Sequence, residues 1–417
     1  MRRPTRAIIY RHGLCVLRPW YLPAIWLIVG AAPYAWAIGI DTQISGRQTY
    51  FLSKTLLDND RYTFSKTRLQ ARLQTPARSP LRLETELHLL YYGGSYLETT
   101  EWRDMVSPAL QGHSAIEWET KWADAPRAQA RARVYRLVLS HEDVTGRWQV
   151  GRMRNSFGNT RVFISPLDRF DDLSVQVSDE LERPGSDALR WRLDLGDRVV
   201  GDVGYLWGAR TGQHRSFARV GVTAAAGIEV ALLGGRLETM SDGFGASLSK
   251  SVADGELRWE GVRLRKTRTE SSLVMVGPIP TLIESWVKHD FSRHIFSWER
   301  AYAHDWVIAL EWLHNGAGQA DAEAYDLTRL LRREDLYLGR RYLGCSFKKT
   351  LDALWSLQVE GVSNIGDGSF AWYPKLRFLS AHSKLEASLA PVAFFGPSVS
   401  EYGRLPGTHH MSLIYYF

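Results

Sequence analysis

His141-Glu142 opens as the helix of a zinc protease does, but the residue four positions after His141 is Thr145, and the segment alternates like a strand. There is no Cys-x-x-Cys, no phosphate-binding glycine loop and no Gly-x-Ser-x-Gly elbow. Gly112-His113-Ser114 reads as a polar loop, and His289-Asp290 and His304-Asp305 read as turn residues. Asn364-Ile-Gly-Asp-Gly-Ser369 offers hard oxygen atoms but too few acids for a calcium loop, so it reads as a glycine turn. No catalytic, metal or cofactor site is expected, and the chain is not expected to be an enzyme. What remains is a set of ions in short alternation: Arg82, Glu84 and Glu86; Arg131 and Arg133; Arg152 and Arg154; Arg190 and Arg192; Arg258 and Glu260. Clustered guanidiniums bind carboxylates or phosphates through paired hydrogen bonds. The alternative is that Arg and Glu on neighbouring strands pair across the ladder and merely fill space.

Such residues need strands to carry them, and the chain has the period of strands. Leu81-Arg-Leu-Glu-Thr-Glu-Leu-His-Leu-Leu-Tyr-Tyr puts leucines on one face and Arg82, Glu84, Glu86 and His88 on the other. The same alternation returns at Leu69, Leu189, Leu257, Trp306 and Trp355. Turn signals at Gly196-Asp197, Asp254-Gly255, His304-Asp305 and Ala381-His-Ser383 separate many of these runs. The segment from Asp321 to Asp335 is mostly polar and reads as a long loop with one helical turn.

Composition limits the setting. The chain has 417 residues, 45% of them hydrophobic and 23% charged, which excludes a disordered polymer, a helical transporter and a disulfide scaffold. Its 52 basic against 45 acidic residues give +7, but Arg2, Arg3, Arg6, Arg11 and Arg18 precede Ala37 with no acid among them. The remainder is nearly balanced, and no nucleic-acid partner is expected. Residues 1–37 combine a basic stretch, an apolar run from Tyr21 and the small-x-small pattern Ala35-Trp36-Ala37, the layout of a secretory signal peptide cleaved near Ala37. Its removal leaves Cys345 alone, so no internal disulfide is expected and strand closure must supply the stability.

A soluble sandwich also alternates, but it would bury Arg190, Arg192, Asp194, Glu256, Arg258 and Glu260 in a dry core. A transmembrane barrel reverses the polarity, with apolar and aromatic residues toward lipid and ions toward a wet lumen. Trp191, Tyr205, Trp207, Trp355 and Trp372 suit the aromatic girdles of such a barrel. The last nine residues, His409-His-Met-Ser-Leu-Ile-Tyr-Tyr-Phe417, place Met411, Leu413, Tyr415 and Phe417 on one face. This strand resembles the C-terminal strand of Gram-negative outer-membrane proteins, and the resemblance implies that these four residues are the signal read by the barrel-assembly machinery. Arg147-Trp-Gln-Val-Gly-Arg-Met-Arg-Asn-Ser-Phe-Gly158 with Ser165-Pro-Leu-Asp-Arg-Phe170 is similar to a strand and Pro/Asp segment of porin-like and alginate-export-like barrels. Val362-Ser-Asn-Ile-Gly-Asp-Gly-Ser369 with Ser400-Glu-Tyr-Gly403 is similar to the last loops of the same group.

The expected fold is therefore all-β: residues 38–60 as a lead-in or first strand, and residues 61–417 as a single antiparallel transmembrane barrel of about 18 strands (roughly 16–20). Gly93 to Pro126 and Asn155 to Asp172 could each hide a strand or fold inward. Residues 38–60 are too few for a plug domain, which argues against a TonB-dependent receptor. An outer-membrane phospholipase is disfavoured by the missing His-x-Ser-Asn-Gly pattern. The resemblance implies a passive channel or the outer-membrane exit of an export pathway, for small solutes, anionic or saccharide, or for an exported polymer. The alternating ions above are the candidate pore lining, and replacing Arg152 and Arg154 with Ala is expected to lower anion preference. Outer-membrane lipid and lipopolysaccharide are the expected surroundings. The runner-up is a structural or adhesin barrel with a filled lumen and working surface loops.

Overall fold

The computed structural model describes residues 41–417 apart from 57–58, 77–78, 110–114, 117, 169–184, 210–212, 239–240, 277–278, 304 and 332–334. The signal-peptide segment lies outside the described residues. Among the described residues nineteen strands follow in chain order: β1 (Asp41–Lys54), β2 (Arg61–Gln74), β3 (Leu81–Gly93), β4 (Glu119–Ala125), β5 (Ala128–Asp143), β6 (Gly146–Met153), β7 (Ser186–Asp194), β8 (Val199–Trp207), β9 (Arg215–Thr223) and β10 (Ile228–Glu238). They continue as β11 (Ser241–Val252), β12 (Gly255–Val276), β13 (Ile279–Tyr302), β14 (Trp306–Asn315), β15 (Arg341–Thr350), β16 (Trp355–Asn364), β17 (Ser369–Leu379), β18 (Leu385–Phe395) and β19 (Thr408–Tyr416). All pairings between them are antiparallel neighbours, and β1 closes the ring against β19 from Ser45↔Tyr416 to Leu52↔His409. Closure pairs the first strand with the last so that neither is left as an open edge, which is how strands satisfy their backbone without water.

The ring itself has 18 strands, because β3 pairs with β5 directly and β4 lies beside the other edge of the first half of β5. There β6 is too short to continue the wall, pairing only with residues 137–143 of β5. The region from Gly93 to Pro126 thus does contain a strand, one that patches the wall rather than extending the ring. Connections alternate in length around the barrel. At the end where β1 begins and β19 finishes, turns are tight, and Asp305 and Ser383 adopt positive φ of 60° and 55° to make two of them, whereas His289-Asp290, expected as a turn, lies within β13. The opposite, loop end carries the long connections 94–127, 154–185, 316–340 and 396–407. The expected helical turn in 321–335 is present as a short 3-10 turn, Ala322–Ala324, and a helix, Leu327–Leu331.

The side chains obey the period of two. On β19, Met411, Leu413, Tyr415 and Phe417 are exposed on the outer face, while His410, Ser412 and Ile414 are buried on the inner one. Leu81, Leu83, Leu87, Leu189, Trp191, Tyr205, Phe244, Phe296 and Trp372 extend that exposed apolar surface round the ring. No helix among the described residues is long and apolar enough to cross a membrane. The apolar band therefore belongs to the barrel's outside, while Glu86, Arg131, Arg258, Glu260 and Glu311 are buried on its inside.

Candidate pore

One stretch of the loop end enters the barrel. At Gly151 φ is +123°, and a Cβ there would stand 2.0 Å from the Leu137 carbonyl oxygen, so only glycine makes the bend near the end of β6. The chain then crosses the interior as residues 154–168 and is caught by carboxylates of the far wall. Glu260 of β12 accepts from Asn159 N at 2.7 Å and from the Ser165 hydroxyl. Glu311 of β14 accepts from three successive amides, Arg161 N, Val162 N and Phe163 N, at 2.6, 3.0 and 2.8 Å, and from the Ser297 hydroxyl at 2.7 Å. Asp168 closes the segment on itself by accepting from the Ser156 hydroxyl and the Phe157 and Gly158 amides. The Tyr337 hydroxyl accepts from Ile164 N at 3.0 Å. A backbone without a ladder needs such acceptors, since each buried N–H left unmet costs about 1–3 kcal/mol.

Apolar packing completes the seam. Leu167 joins Met153, Leu206, Phe217, Leu233, Val262 and Leu264 in one buried cluster, with Phe157 packed against it. Phe163 joins Ile295, Leu313, Tyr342 and Tyr402 in a second. Gly344 of β15 lets the segment come this close, because a Cβ there would stand 2.7 Å from Val162 and 2.9 Å from Phe163. The inward segment is thereby packed on inner-face side chains of strands from β7 to β15.

The opposite arc is lined by ions. Arg72 and Glu84 meet at 2.8 Å. Glu86 accepts from Gln70 Nε2 at 3.1 Å and Arg136 Nε at 3.1 Å, and lies 2.8 Å from His88 Nε2. Arg131 donates to Glu119 of β4 at 2.8 Å, to the Ser107 hydroxyl at 2.8 Å and to Gln129 at 3.1 Å, with its guanidinium over the Tyr92 ring. Arg133 lies 3.8 Å from the same Glu119, and Arg82 lies 3.7 Å from Glu142. Above them Tyr96, Leu97 and Trp102 pack on Leu90 and Tyr92, folding the 95–106 connection onto this wall. Glu101 anchors that fold by accepting from Leu56 N and the Tyr96 hydroxyl, both at 2.6 Å.

The eleven sequence-selected ions thus divide. Arg82, Glu84, Glu86, Arg131 and Arg133 lie together on the ionic arc. Arg190, Arg258 and Glu260 hold the inward segment: Arg190 pairs with Asp202 and stacks over Phe157, while Arg258 donates to Asn159 O and Glu299, both at 3.1 Å. Arg192 is exposed beside Asp194 at 3.8 Å, near a tight turn. Arg152 is buried 3.5 Å from Asp187, which also accepts from Ile116 N and Trp118 Nε1. Arg154 is exposed at the start of the inward segment. Glu311 and Glu299 escaped the sequence reading, although Glu311 is the lone ion in the apolar run Trp306–Leu313, a signal that it serves a buried partner.

The loop end has a second knot. Glu401 accepts from Leu338 N at 3.2 Å, Asn364 Nδ2 at 2.9 Å and the Tyr342 hydroxyl, joining three connections. Burial pushes its carboxyl up to about 6, while these donors pull the other way. Asn364-Ile-Gly-Asp-Gly-Ser369 is a turn: Asn364 Oδ1 accepts from Gly366 N, and Asp367 Oδ1 accepts from Ser369 N and its hydroxyl.

No family model and no curated protein matches this chain. Solved structures do match. OccK11 (OpdR) of Pseudomonas aeruginosa superposes with a TM-score of 0.54 at 10% identity, covering 91% of this chain and 96% of its own. The fold is that of outer-membrane porins. OpdL of the same organism gives 0.53 at 11% identity over 91% and 98%, and the outer membrane protein OprD 0.51 at 8% over 91% and 93%. At these identities the likeness concerns the fold alone.

Proposed function

We propose that this chain is an outer-membrane channel for small solutes, narrowed by the inward segment and lined on its remaining side by the ionic arc of β2, β3 and β5. The observation that carries this reading is the fixation of residues 159–163 by Glu260 and Glu311: a segment drawn across the interior and held at successive amides sets the size of a passage beside it. The wall facing that passage is rich in arginine, which favours carboxylate, phosphate or uronate groups over neutral solutes of the same size. The solute class is thus small anions or acidic saccharides, and the reading includes both passive uptake and export. In this setting the tight turns and both ends of the described chain lie on the periplasmic side. Met411, Leu413, Tyr415 and Phe417 are then available on the outer face to the assembly machinery.

Planar-bilayer recording of the refolded protein tests this. Stable single-channel conductance with a reversal potential on the anion side is expected. Silent, correctly folded protein would overturn it in favour of a closed structural barrel, a reading favoured by how much of the loop end is packed around Trp102 and Glu401. Hydrolysis of lipid or peptide by the purified protein would overturn the non-enzymatic part.

A further inference from the structure

The outside of the barrel carries a charged row that conduction does not use. In register across β10, β11, β12 and β13 lie Arg236, Asp242, Arg265 and Asp290, alternating in sign at one height. Arg236 Nε is 3.2 Å from Asp242 Oδ1 and Arg265 Nε 3.0 Å from Asp290 Oδ1. Arg263, on the same face and two residues from Arg265, lies 3.7 Å from Asp290 Oδ2. Three guanidiniums thus share two carboxylates, and the side chains of Arg263 and Arg265 are 64% and 66% exposed.

The height of this row matters. Asp242 stands ten residues above Val252, where β11 turns into β12. At about 3.3 Å per residue and a tilt of about 40°, that rise is roughly 25 Å, the thickness of a barrel's apolar band. Phe244, Leu248 and Phe296, all exposed, occupy the outer face below the row. The arginines therefore stand at the lipid–water boundary on the loop side. Beside them the wall is indented by a cavity of about 680 Å³, whose lining includes Tyr205, His214, Ser216, Gly235, Arg236 and Asp242. Tyr205 and His214 stack there, with ring centroids 5.8 Å apart.

We propose that this face, from β8 to β13, binds the headgroup of a phosphorylated glycolipid of the outer leaflet. The inference rests on the outer-membrane reading above. Sugar-borne phosphates meet the outer edges of Arg236, Arg263 and Arg265 as bidentate, charge-assisted acceptors. The sugar lies in the indentation against Tyr205 and His214, and the acyl chains run down Phe244 and Phe296. The net positive row is complementary to a phosphate-bearing headgroup and has no use for a zwitterionic one.

Native mass spectrometry of the full protein in detergent, titrated with diphosphorylated lipid A, its dephosphorylated form and phosphatidylglycerol, tests this. Preferential retention of the diphosphorylated form is expected, with the R236Q/R263Q/R265Q variant weakening it about tenfold or more. Single R236Q and R265Q variants, altered only at exposed side chains, should each show part of that loss if the triple variant folds poorly. Equal retention of the dephosphorylated lipid or of phosphatidylglycerol, or undiminished retention by the variants, would overturn the proposal. Bilayer conductance of the same preparations separates the two readings, since a silent barrel that still retains lipid A overturns only the channel.

Discussion

The two halves of the barrel interior use the same residue types for opposite ends. From β7 to β15, Glu260, Glu299, Glu311 and Arg258 point inward and are consumed by a single crossing segment: Glu260 and Glu311 take its amides, Arg258 the Asn159 carbonyl and Glu299 the Arg161 guanidinium. Across β2, β3 and β5, Arg72, Glu84, Glu86 and Arg136 point inward and pair along the wall, strand to strand, with Arg131 paired to Glu119 of the adjoining β4. The contrast teaches that an inward-facing ion in a barrel is not yet a pore-lining one. What decides is whether backbone has been drawn up against it.

The filled half should fail most severely. Glu311→Ala removes the acceptor of three consecutive amides, that of Phe163 buried and those of Arg161 and Val162 less so, a loss of about 3 kcal/mol in all at about 1 kcal/mol each. The inward segment is expected to leave the wall, raising single-channel conductance and exposing residues 154–168 to protease. Unchanged conductance together with unchanged proteolysis would mean that the apolar packing around Phe163 holds the segment alone.

Arg152 sharpens the comparison from the boundary between the halves. Both partners of its pair with Asp187 are buried, so Arg152→Ala strands a carboxylate that two other donors also orient. Removing one member of such a pair costs about 3–5 kcal/mol. The variant should therefore lose resistance to urea unfolding before it shows any change in selectivity, whereas Arg154→Ala, at an exposed position, should leave stability intact. A stable Arg152→Ala protein with reduced anion preference would return this residue to the pore lining.

Much of this was legible in the chain. Alternation at Leu81–Tyr92 and Leu189–Asp194 gives the strands and their two faces, and the spacing of Met411, Leu413, Tyr415 and Phe417 gives the outer face of the closing strand. The site was only half legible, for a physical reason. A period of two states which side of the sheet a residue faces, but nothing about what stands opposite, and the partners of Glu311 lie some 150 residues away. Asn155 to Asp172 was ambiguous between strand and inward fold because its own residues do not decide the matter. Glu260 and Glu311 do. Likewise β4 was hidden in Gly93 to Pro126 because it completes a gap left by the short β6 and has no long alternation of its own.

The knot at Glu401 ties the filled half to the loop end, and its strength should depend on pH. Its carboxyl titrates near 6 in the folded protein, against 4.5 as the ordinary value. With the folded value raised, the folded state holds its proton more tightly. Loop closure is then strongest below about pH 4.5 and weakens as pH rises to about 6, by about 2 kcal/mol in all. Hydrogen exchange at the Leu338 and Gly339 amides should accelerate across that window beyond its intrinsic pH dependence. Glu401→Gln should abolish the excess, and an excess that survived in the variant would assign the titration elsewhere.

The ionic arc should respond least in stability and most in selectivity. Arg72 and Glu84 are both partly exposed, the side chains at 41% and 28%, and exposed pairs contribute about 0–1 kcal/mol. Arg72→Ala should leave the unfolding midpoint nearly unmoved while shifting the reversal potential toward cations. Glu84→Ala should shift it the other way, because it unmasks the same guanidinium. Opposite shifts at constant stability are what a wetted wall gives and a packed one does not. If either variant instead unfolded the barrel with no change in reversal potential, the two halves would be alike, with the arc of β2, β3 and β5 no more open than the half that the inward segment fills.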